Sequence, residues 1–556
     1  MDVLVVVGAD PAPARLLARA NHHLILDGPP VSAGTIADLR AHIPHAVGVV
    51  GAPPDGLQVA RALHRAGLPV TYYTDEVVTA DAGVEVDPIS DRGPAMQVAD
   101  TLVDLFGHTP LVRLDRLGRD LSCHLLAKLE YLNPGGSVKD RPALAMVQAA
   151  EAEGLLKPGG TIVEPTSGNT GVGLALVAAR RRYRCIFTMP DKIAAEKVQL
   201  LRAFGADVIV CPTAVDPEHP DSYYSVARRI TASTPGAFQP DQYHNQNNPA
   251  AHTATTGPEI WEQTAGRVTH FVAGIGTGGT ITGVGRALKA RNPDVQIVGA
   301  DPEGSVYSGG QGRPYLVEGI GEDFWPATYD PSVVDQVVKV SDRDSFLTAR
   351  RLTREEGVLA GGSCGTAVWA ALAVGRGLGP DAVVVVLLPD SGRGYLSKVY
   401  NDQWLADHGF LRAGGDTVAQ IMTRKSNGAQ LPPLVHVHPD ETVRATIALL
   451  KEFGVSQMPV VKAEPPLALA EVVGSVSDRW LLERAFHDPA VVDRPVAEVM
   501  DRPLPTIGMG ETIDEAAGRL QAGQAVLVLD NGHPIGILTR SDLLEFLASG
   551  RPGVDA

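Results

Sequence analysis

The sequence predicts an α/β protein built in three parts, and three observations carry that reading. Short apolar runs alternate with helix-like stretches along most of the chain, the pattern of parallel sheets covered by helices. Runs such as "AVVVVLLPD" are apolar almost throughout, which suits strands buried on both faces. From about residue 416 onward the sequence repeats itself, so a pseudo-symmetric pair of α/β units is expected there.

Bulk composition narrows the class. The chain has 556 residues, 44% hydrophobic and 20% charged, as a soluble globular protein with sizeable cores would have. A net charge of -16 argues against a nucleic-acid partner, which usually needs a basic face. Cys123, Cys185, Cys211 and Cys364 form no C-x-x-C pair and no disulfide framework. That usage suits a reducing, cytoplasmic compartment, and no metal site is expected. The start "MDVLVVVGAD" lacks the basic flank of a signal peptide, and no apolar run is long enough to span a bilayer.

The first part, residues 1–97, carries strand-like "VLVVVG", "HHLILDG", "AVGVVGA" and "LPVTYYT". "PARLLARA" and "DGLQVARALHRAG" read as intervening helices, giving a small Rossmann-like α/β module. It lacks a phosphate loop, because "VGADPAPARL" has no glycine series. The second part, 98–412, alternates "TIVEP" with "GVGLALVAARRR", "RCIFTMP" with "AEKVQLLRAFG", and "HFVAGIG" with "TGVGRALKAR". After the Gly-containing link "LRAGGDT" comes the third part, 416–556, with copies at about 416–490 and 491–556. "VAQIM" returns there as "VAEVM", and "DETVRATIALL" as "GETIDEAAGRL".

Two loops in the second part are built for polar ligands. In "GIGTGGT", Gly274, Gly276 and Gly279 satisfy G-x-G-x-x-G, and Asp301 follows at about the distance of a dinucleotide fingerprint. The physics is broader: glycines let backbone N–H groups converge on any anion at a helix start. "EPTSGNTG" offers hydroxyls, an amide and helix-start N–H groups that suit a carboxylate.

Lys139 stands in "YLNPGGSVKDRP", behind a turn and ahead of a helix. Pro142 is tolerated only in a first helical turn, and Ala143, Met146, Val147 and Ala150 keep the spacing of a buried face. A helix start disfavours a cation by about 0.3–1 kcal/mol. That is under one pKa unit, which is about 1.4 kcal/mol. Only burial, which can move a lysine by about 3–5 units, gives a neutral amine fit for bonding an aldehyde cofactor.

"NPGGSVKDR", "EPTSGNTGVGLAL", "EKVQLLRAFGAD", "DQYHNQNNPAAHTATTGPEI", "GIGTGGTITG", "VEGIG", "GGSCGTAV" and "LLPDS" occur in order between about Leu105 and Phe410. Together they resemble the fold-type II, tryptophan synthase β-like pyridoxal-phosphate enzymes of the cysteine synthase/cystathionine β-synthase family. The resemblance implies that Lys139 bonds the cofactor and moves protons at the substrate Cα and leaving group. It implies that Gly276, Thr277, Gly278, Gly279 and Thr280 hold the phosphate. Asn169 is implied to meet the 3-hydroxyl, and Ser363 the pyridine nitrogen. Thr166, Ser167, Gly168, Asn169 and Thr170 would take an amino-acid carboxylate, with Gln242 nearby. The implied reaction joins L-serine and L-homocysteine into cystathionine.

Departures from the family matter too. No cysteine precedes Cys123, so the haem of vertebrate members is not expected. Glu322 stands where animal members carry an aromatic residue, which puts the second-substrate pocket in question.

The third part resembles paired CBS domains, whose G-x-x-[ST]-x-x-D motif sets a hydroxyl and an Asp against a ribose. "GILTRSD" supplies Thr539 and Asp542, whereas "GSVSDRW" has Ser477 but Trp480 in place of the Asp. One adenosyl site per chain is expected, for S-adenosylmethionine or an adenine nucleotide. The resemblance also implies a homodimer or larger homo-oligomer. Three other readings stay open: a cysteine synthase using O-acetylserine and sulfide, a non-catalytic nucleotide-sensing scaffold, and a dinucleotide dehydrogenase.

Overall fold

The computed structural model describes the strands within 3–88 as backbone, then residues 98–548 except 167, 192, 194, 213–214, 216–217, 412–415, 429–431 and 433. The chain divides into two compact units, Met1–Ala99 and Asp100–Ala556.

The first unit contains β1 (Val3–Val7), β2 (Leu24–Asp27), β3 (Val47–Gly51), β4 (Val70–Thr74) and β5 (Glu85–Pro88). They form one parallel sheet in the order β2-β1-β3-β4-β5. This is the flavodoxin-like order rather than the 3-2-1-4-5-6 of dinucleotide-binding sheets. β5, "EVDP", has no apolar run to announce it and was not expected. The two helix-like stretches expected here lie outside the described residues.

The second unit opens with β6 (Leu111–Arg113) and β7 (His124–Leu129). Next come β8 (Thr161–Pro165), β9 (Arg184–Pro190), β10 (Asp207–Cys211) and β11 (Ala237–Phe238). β12 (His270–Gly274), β13 (Gln296–Pro302), β14 (Gln336–Val340) and β15 (Val383–Leu388) complete its two larger sheets. One sheet runs β10-β9-β8-β11, entirely parallel. The larger runs β14-β13-β12-β15-β7-β6, parallel except for the edge strand β6.

β15 shows why its sequence is apolar throughout. Val384, Val386 and Leu388 pack with Ala367, Val368 and Ala371 of the helix Gly362–Gly375. Val383, Val385 and Leu387 face Ile281, Val284 and Leu288 of the helix Gly279–Lys289. A strand's period of two sends alternate residues into two separate cores, so every position is buried. Each such side chain contributes about 1.5–3 kcal/mol relative to exposure.

The repeat forms two small sheets. β16 (Gln457–Val461) pairs antiparallel with β17 (Val472–Ser477). β18 (Thr506–Gly508), β19 (Ala525–Asp530) and β20 (His533–Thr539) form the second. The parallel Val437–Val460 bridge in the first copy matches the parallel β18–β19 pairing in the second. Both antiparallel pairs carry an irregularity at matching places, Val460/Val461 and Val528/Leu529. The pair rests on the two larger sheets' domain through Arg313 on Glu471 (2.7 Å), Gly532 N–H on His408 O (2.7 Å) and the Arg519–Asp407 ion pair.

Candidate active site

Lys139 caps the helix Asp140–Ala152, and Ala143, Met146, Val147 and Ala150 are at most 2% exposed, as their spacing predicts. Two devices fix this helix start. Val138 N–H donates to Pro389 O (2.8 Å), stitching the lysine's neighbour to the end of β15. Arg141 then forks onto two carboxylates, Glu130 (2.8 Å from Nε to Oε2) and Glu259 (2.7 Å from Nη1 to Oε1). Lys128 Nζ joins Glu259 at 2.7 Å. The two cations and two carboxylates thus neutralise one another inside the fold, the condition for burying charge.

The Lys139 ammonium is held below its usual pKa. Burial is the leading cause, and the carboxyls of Glu322 and Asp390 oppose it. Desolvation, not the helix dipole, therefore makes the amine available.

Lys139 faces a cavity of about 360 Å³ whose far wall is Gly276, Thr277, Gly278 and Thr280. Val138, Ile281, Ile320 and Leu387 supply its apolar surfaces. The glycine loop joins β12 to the helix Gly279–Lys289, with Gly278 in the left-handed region at φ 81°. A side chain on Gly276 would come within 2.7 Å of Gly319 O, and one on Gly279 would overlap the Asn248 carboxamide. Such a cradle leaves backbone N–H groups bare at a helix start, as an anion needs. Below it, Thr280 Oγ1 lies 3.2 Å from His252 Nε2, and His252 Nδ1 lies 2.9 Å from Thr256 Oγ1. Burial, with Arg141 and Lys139 adding to it, pushes His252 far below its ordinary pKa, so it is a neutral hydrogen-bonding partner.

The second loop joins β8 to the helix Asn169–Arg181, with Gly168 at φ 147°. Thr166 Oγ1 accepts from Gly168 N–H (3.1 Å) and Gly171 N–H (3.3 Å), closing the turn on itself. Thr170 Oγ1 donates to Gln242 Oε1 (2.6 Å). Asn248 Nδ2 donates to Gln242 O (2.8 Å) and to Thr277 Oγ1 (3.1 Å), so one asparagine ties this loop to the glycine loop. Ser167 lies outside the described residues.

Asp390 is the hub on the remaining side. Its Oδ2 accepts from Asn169 Nδ2 (2.9 Å) and Tyr395 Oη (2.6 Å), and its backbone O accepts from Gly361 N–H (3.2 Å). Burial raises its pKa, with those two hydrogen bonds opposing. Ser363 is 3% exposed in the first turn of the helix after Gly361. Asn169 is thus bonded to Asp390, and neither it nor Ser363 lines the cavity wall with Lys139.

Sequence reasoning missed Asp390 as a hub, and also Asn248, His252 and Tyr395. "LLPDS" and "QNNPAAH" were visible as motifs, but the side-chain partners are far apart in sequence. Asp301, the dehydrogenase-like acid, is fully buried with Oδ2 accepting from Ser308 N–H (2.8 Å). Glu322 faces the lysine side of the site, and burial pushes its carboxyl up to about 8.

In the repeat, Asp542 Oδ2 accepts from Thr539 N–H and Oγ1 (both 2.7 Å) and from Lys425 Nζ (2.9 Å). In the first copy Ser477 caps the helix Asp478–His487, and Trp480 Nε1 donates to Val499 O (2.8 Å). No described helix is long and apolar enough to cross a membrane.

Comparison with known proteins agrees with this geometry. Residues 102–390 match the family "Pyridoxal-phosphate dependent enzyme", and 418–479 and 496–549 each match "CBS domain". Cystathionine beta-synthase of Mus musculus is 45% identical over 432 residues, covering 76% of each chain. That of Dictyostelium discoideum is 38% identical over 466 residues, covering 81% of this chain and 92% of the relative. A solved O-acetylserine dependent cystathionine beta-synthase from Helicobacter pylori is 38% identical with TM-score 0.52, covering 55% of this chain and all of that one (100%). A solved O-ureido-L-serine synthase is 39% identical with TM-score 0.53, covering 55% and 96%. With a lysine and a glycine loop sharing one cavity, and relatives alike over most of its length, the chain belongs to the pyridoxal-phosphate dependent enzymes, in the cystathionine beta-synthase family.

Proposed function

We propose that the chain condenses L-serine with L-homocysteine to cystathionine, releasing water, and that Lys139 is its catalytic base and acid. The observation that carries this reading is a desolvated lysine amine facing an anion-ready glycine loop across one cavity. The residues present fit pyridoxal phosphate. Gly276, Thr277, Gly278, Gly279 and Thr280 would hold its phosphate and Lys139 its aldehyde carbon, with Asn169 at the 3-hydroxyl and Ser363 at the ring nitrogen. When bound, the cofactor supplies a sink for the electron pair left at the substrate Cα.

The rest falls to the chain's own side chains. Thr166, Ser167, Gly168, Asn169 and Thr170, with Gln242, orient the serine carboxylate. Lys139 Nζ takes the Cα proton and gives a proton to the departing β-hydroxyl, which leaves as water. The homocysteine thiol passes its proton to Lys139 as its sulfur bonds to Cβ, and Lys139 returns that proton to Cα.

O-Acetylserine as donor is the second reading. It is favoured by the Helicobacter pylori relative, an O-acetylserine dependent enzyme. Mass spectrometry of products from serine or O-acetylserine, each with homocysteine or sulfide, decides between them. Cystathionine from serine supports the first reading, cysteine or cystathionine formed from O-acetylserine alone supports the second, and neither product with any donor overturns both.

Residues 98–412 are taken as the catalytic domain of a cytoplasmic homodimer or larger homo-oligomer, and 416–556 as its regulatory pair. Residues 1–97 form a separate module. S-Adenosylmethionine, or else an adenine nucleotide, is proposed to bind at Thr539 and Asp542. The Arg313–Glu471 pair supports communication, because Arg313 precedes Gly319 and Ile320 of the cavity wall by only a few residues. Such a ligand regulates only by binding two conformations unequally.

A further inference from the structure

We propose that His436, His438 and Glu464, in the first copy of the repeat, form a binding site for a divalent transition metal of the zinc type. His436 and His438 flank Val437, which is fully buried and bridged to Val460. Alternation along this extended segment puts both imidazoles on one face. His436 Nδ1 lies 3.0 Å from Leu434 O, and His438 Nδ1 lies 2.9 Å from Val461 O. A carbonyl oxygen only accepts, so each Nδ1 carries a proton and each Nε2 is the ring nitrogen turned to Glu464.

Both Nε2 atoms converge on one carboxylate. His438 Nε2 is 3.1 Å from Glu464 Oε1, and His436 Nε2 is 3.3 Å from Oε2. Each nitrogen needs a cation between itself and the carboxylate, either its own proton or a metal ion shared by all three residues. The ligand atoms all lie within 4.8 Å of one another. A tetrahedral zinc with bonds of about 2.0–2.1 Å needs donors about 3.3 Å apart, close to the two separations present. Imidazoles that hand their second N–H to backbone carbonyls are also the usual outer support of metal-bound histidines. Two nitrogens and a carboxylate select a zinc-like ion over magnesium or calcium, which prefer oxygen.

The histidine side chains are 18% and 25% exposed and Glu464 is 77% exposed, so water can complete the coordination. The ion would clamp Val437's segment to the loop after β16. That loop passes Leu467 O to His533 Nδ1 (2.8 Å) and ends at Glu471, the partner of Arg313. The clamp therefore lies on the path between the repeat and the catalytic domain.

Calorimetric titration of Zn²⁺ into the full-length, cofactor-loaded protein tests this site. Co²⁺ serves as a visible probe of four-coordination. One equivalent is expected in the wild type, weakened at least about tenfold in His438→Gln and in Glu464→Gln. Glu464→Gln alters an exposed side chain, and an unchanged far-UV circular dichroism melt of the full-length protein verifies its fold. Identical titrations in wild type and both folded variants, including zinc bound elsewhere on the chain, would overturn the proposal.

Discussion

Replacing Gly279 by alanine should cripple cofactor binding, and the size of the effect can be worked from its neighbours. Gly279 is the first residue of its helix, and the new methyl would overlap the Asn248 carboxamide. Asn248 is 2% exposed and has nowhere to retreat. Driving it away breaks its bonds to Gln242 O (2.8 Å) and Thr277 Oγ1 (3.1 Å). Each bond is worth about 1 kcal/mol, and overfilling a packed site costs about 1–3 kcal/mol more. If about 2–4 kcal/mol of this falls on the bound form, affinity for pyridoxal phosphate drops roughly 30- to 1,000-fold. Titrating apo-protein with the cofactor, followed by visible absorbance, measures it. Gly518→Ala is the control: that helical position has nothing within 4 Å, so affinity should hold and stability should rise slightly. An affinity for Gly279→Ala within threefold of wild type would refute the loop's role or the rigidity of Asn248.

Three further perturbations follow from the same geometry. In Glu259→Gln the carboxylate that Arg141 and Lys128 hold near pKa 2, against an ordinary 4.5, is lost. With that side chain 14% exposed, the variant loses about 3 kcal/mol of stability at neutral pH. Because the folded pKa is depressed, this contribution is present above about 4.5 and disappears as pH falls toward 2. Denaturant melts of both proteins at stepped pH check it, and a difference that stays constant below pH 4.5 would count against the ion-pair account. Asp542→Ala removes the shared acceptor of Thr539 and Lys425, and should weaken S-adenosylmethionine binding at least about tenfold with the cofactor band unchanged. Calorimetry showing equal affinity removes that site. Glu322 is protonated below about 8 and ionised above it, when it favours the lysine ammonium. Wild-type turnover should therefore inflect near pH 8, and Glu322→Gln should abolish the inflection; an unaltered profile assigns the ionisation elsewhere.

What could be read in advance was what the chain encodes locally. The turn before Lys139, the proline after it and the apolar spacing beyond announced a helix start, and the structure has one there. The amine's need for burial also followed from magnitudes, since a helix dipole is too weak. The two faces of β15 were legible as an unbroken apolar run. Tertiary partners were not legible. Asn248 bridges two loops and Arg141 reaches Glu259 across 118 positions, separations at which no periodicity speaks. Asp301 satisfied a dinucleotide pattern by letter, yet it is fully buried, with Oδ2 taking Ser308 N–H. β5 escaped notice because nothing apolar marks "EVDP". The pair His436 and His438 gave no signal without Glu464, which only the fold of the first copy brings to them.

The central claim is that Lys139 is the amine that carries the cofactor and moves the substrate's protons. Its most direct test pairs the visible spectrum of purified Lys139→Ala with turnover of serine and homocysteine. The account predicts that the absorption band of lysine-bound cofactor disappears and that turnover falls by at least about 10²–10⁴-fold. A variant that keeps both the wild-type band and full cystathionine formation would contradict it.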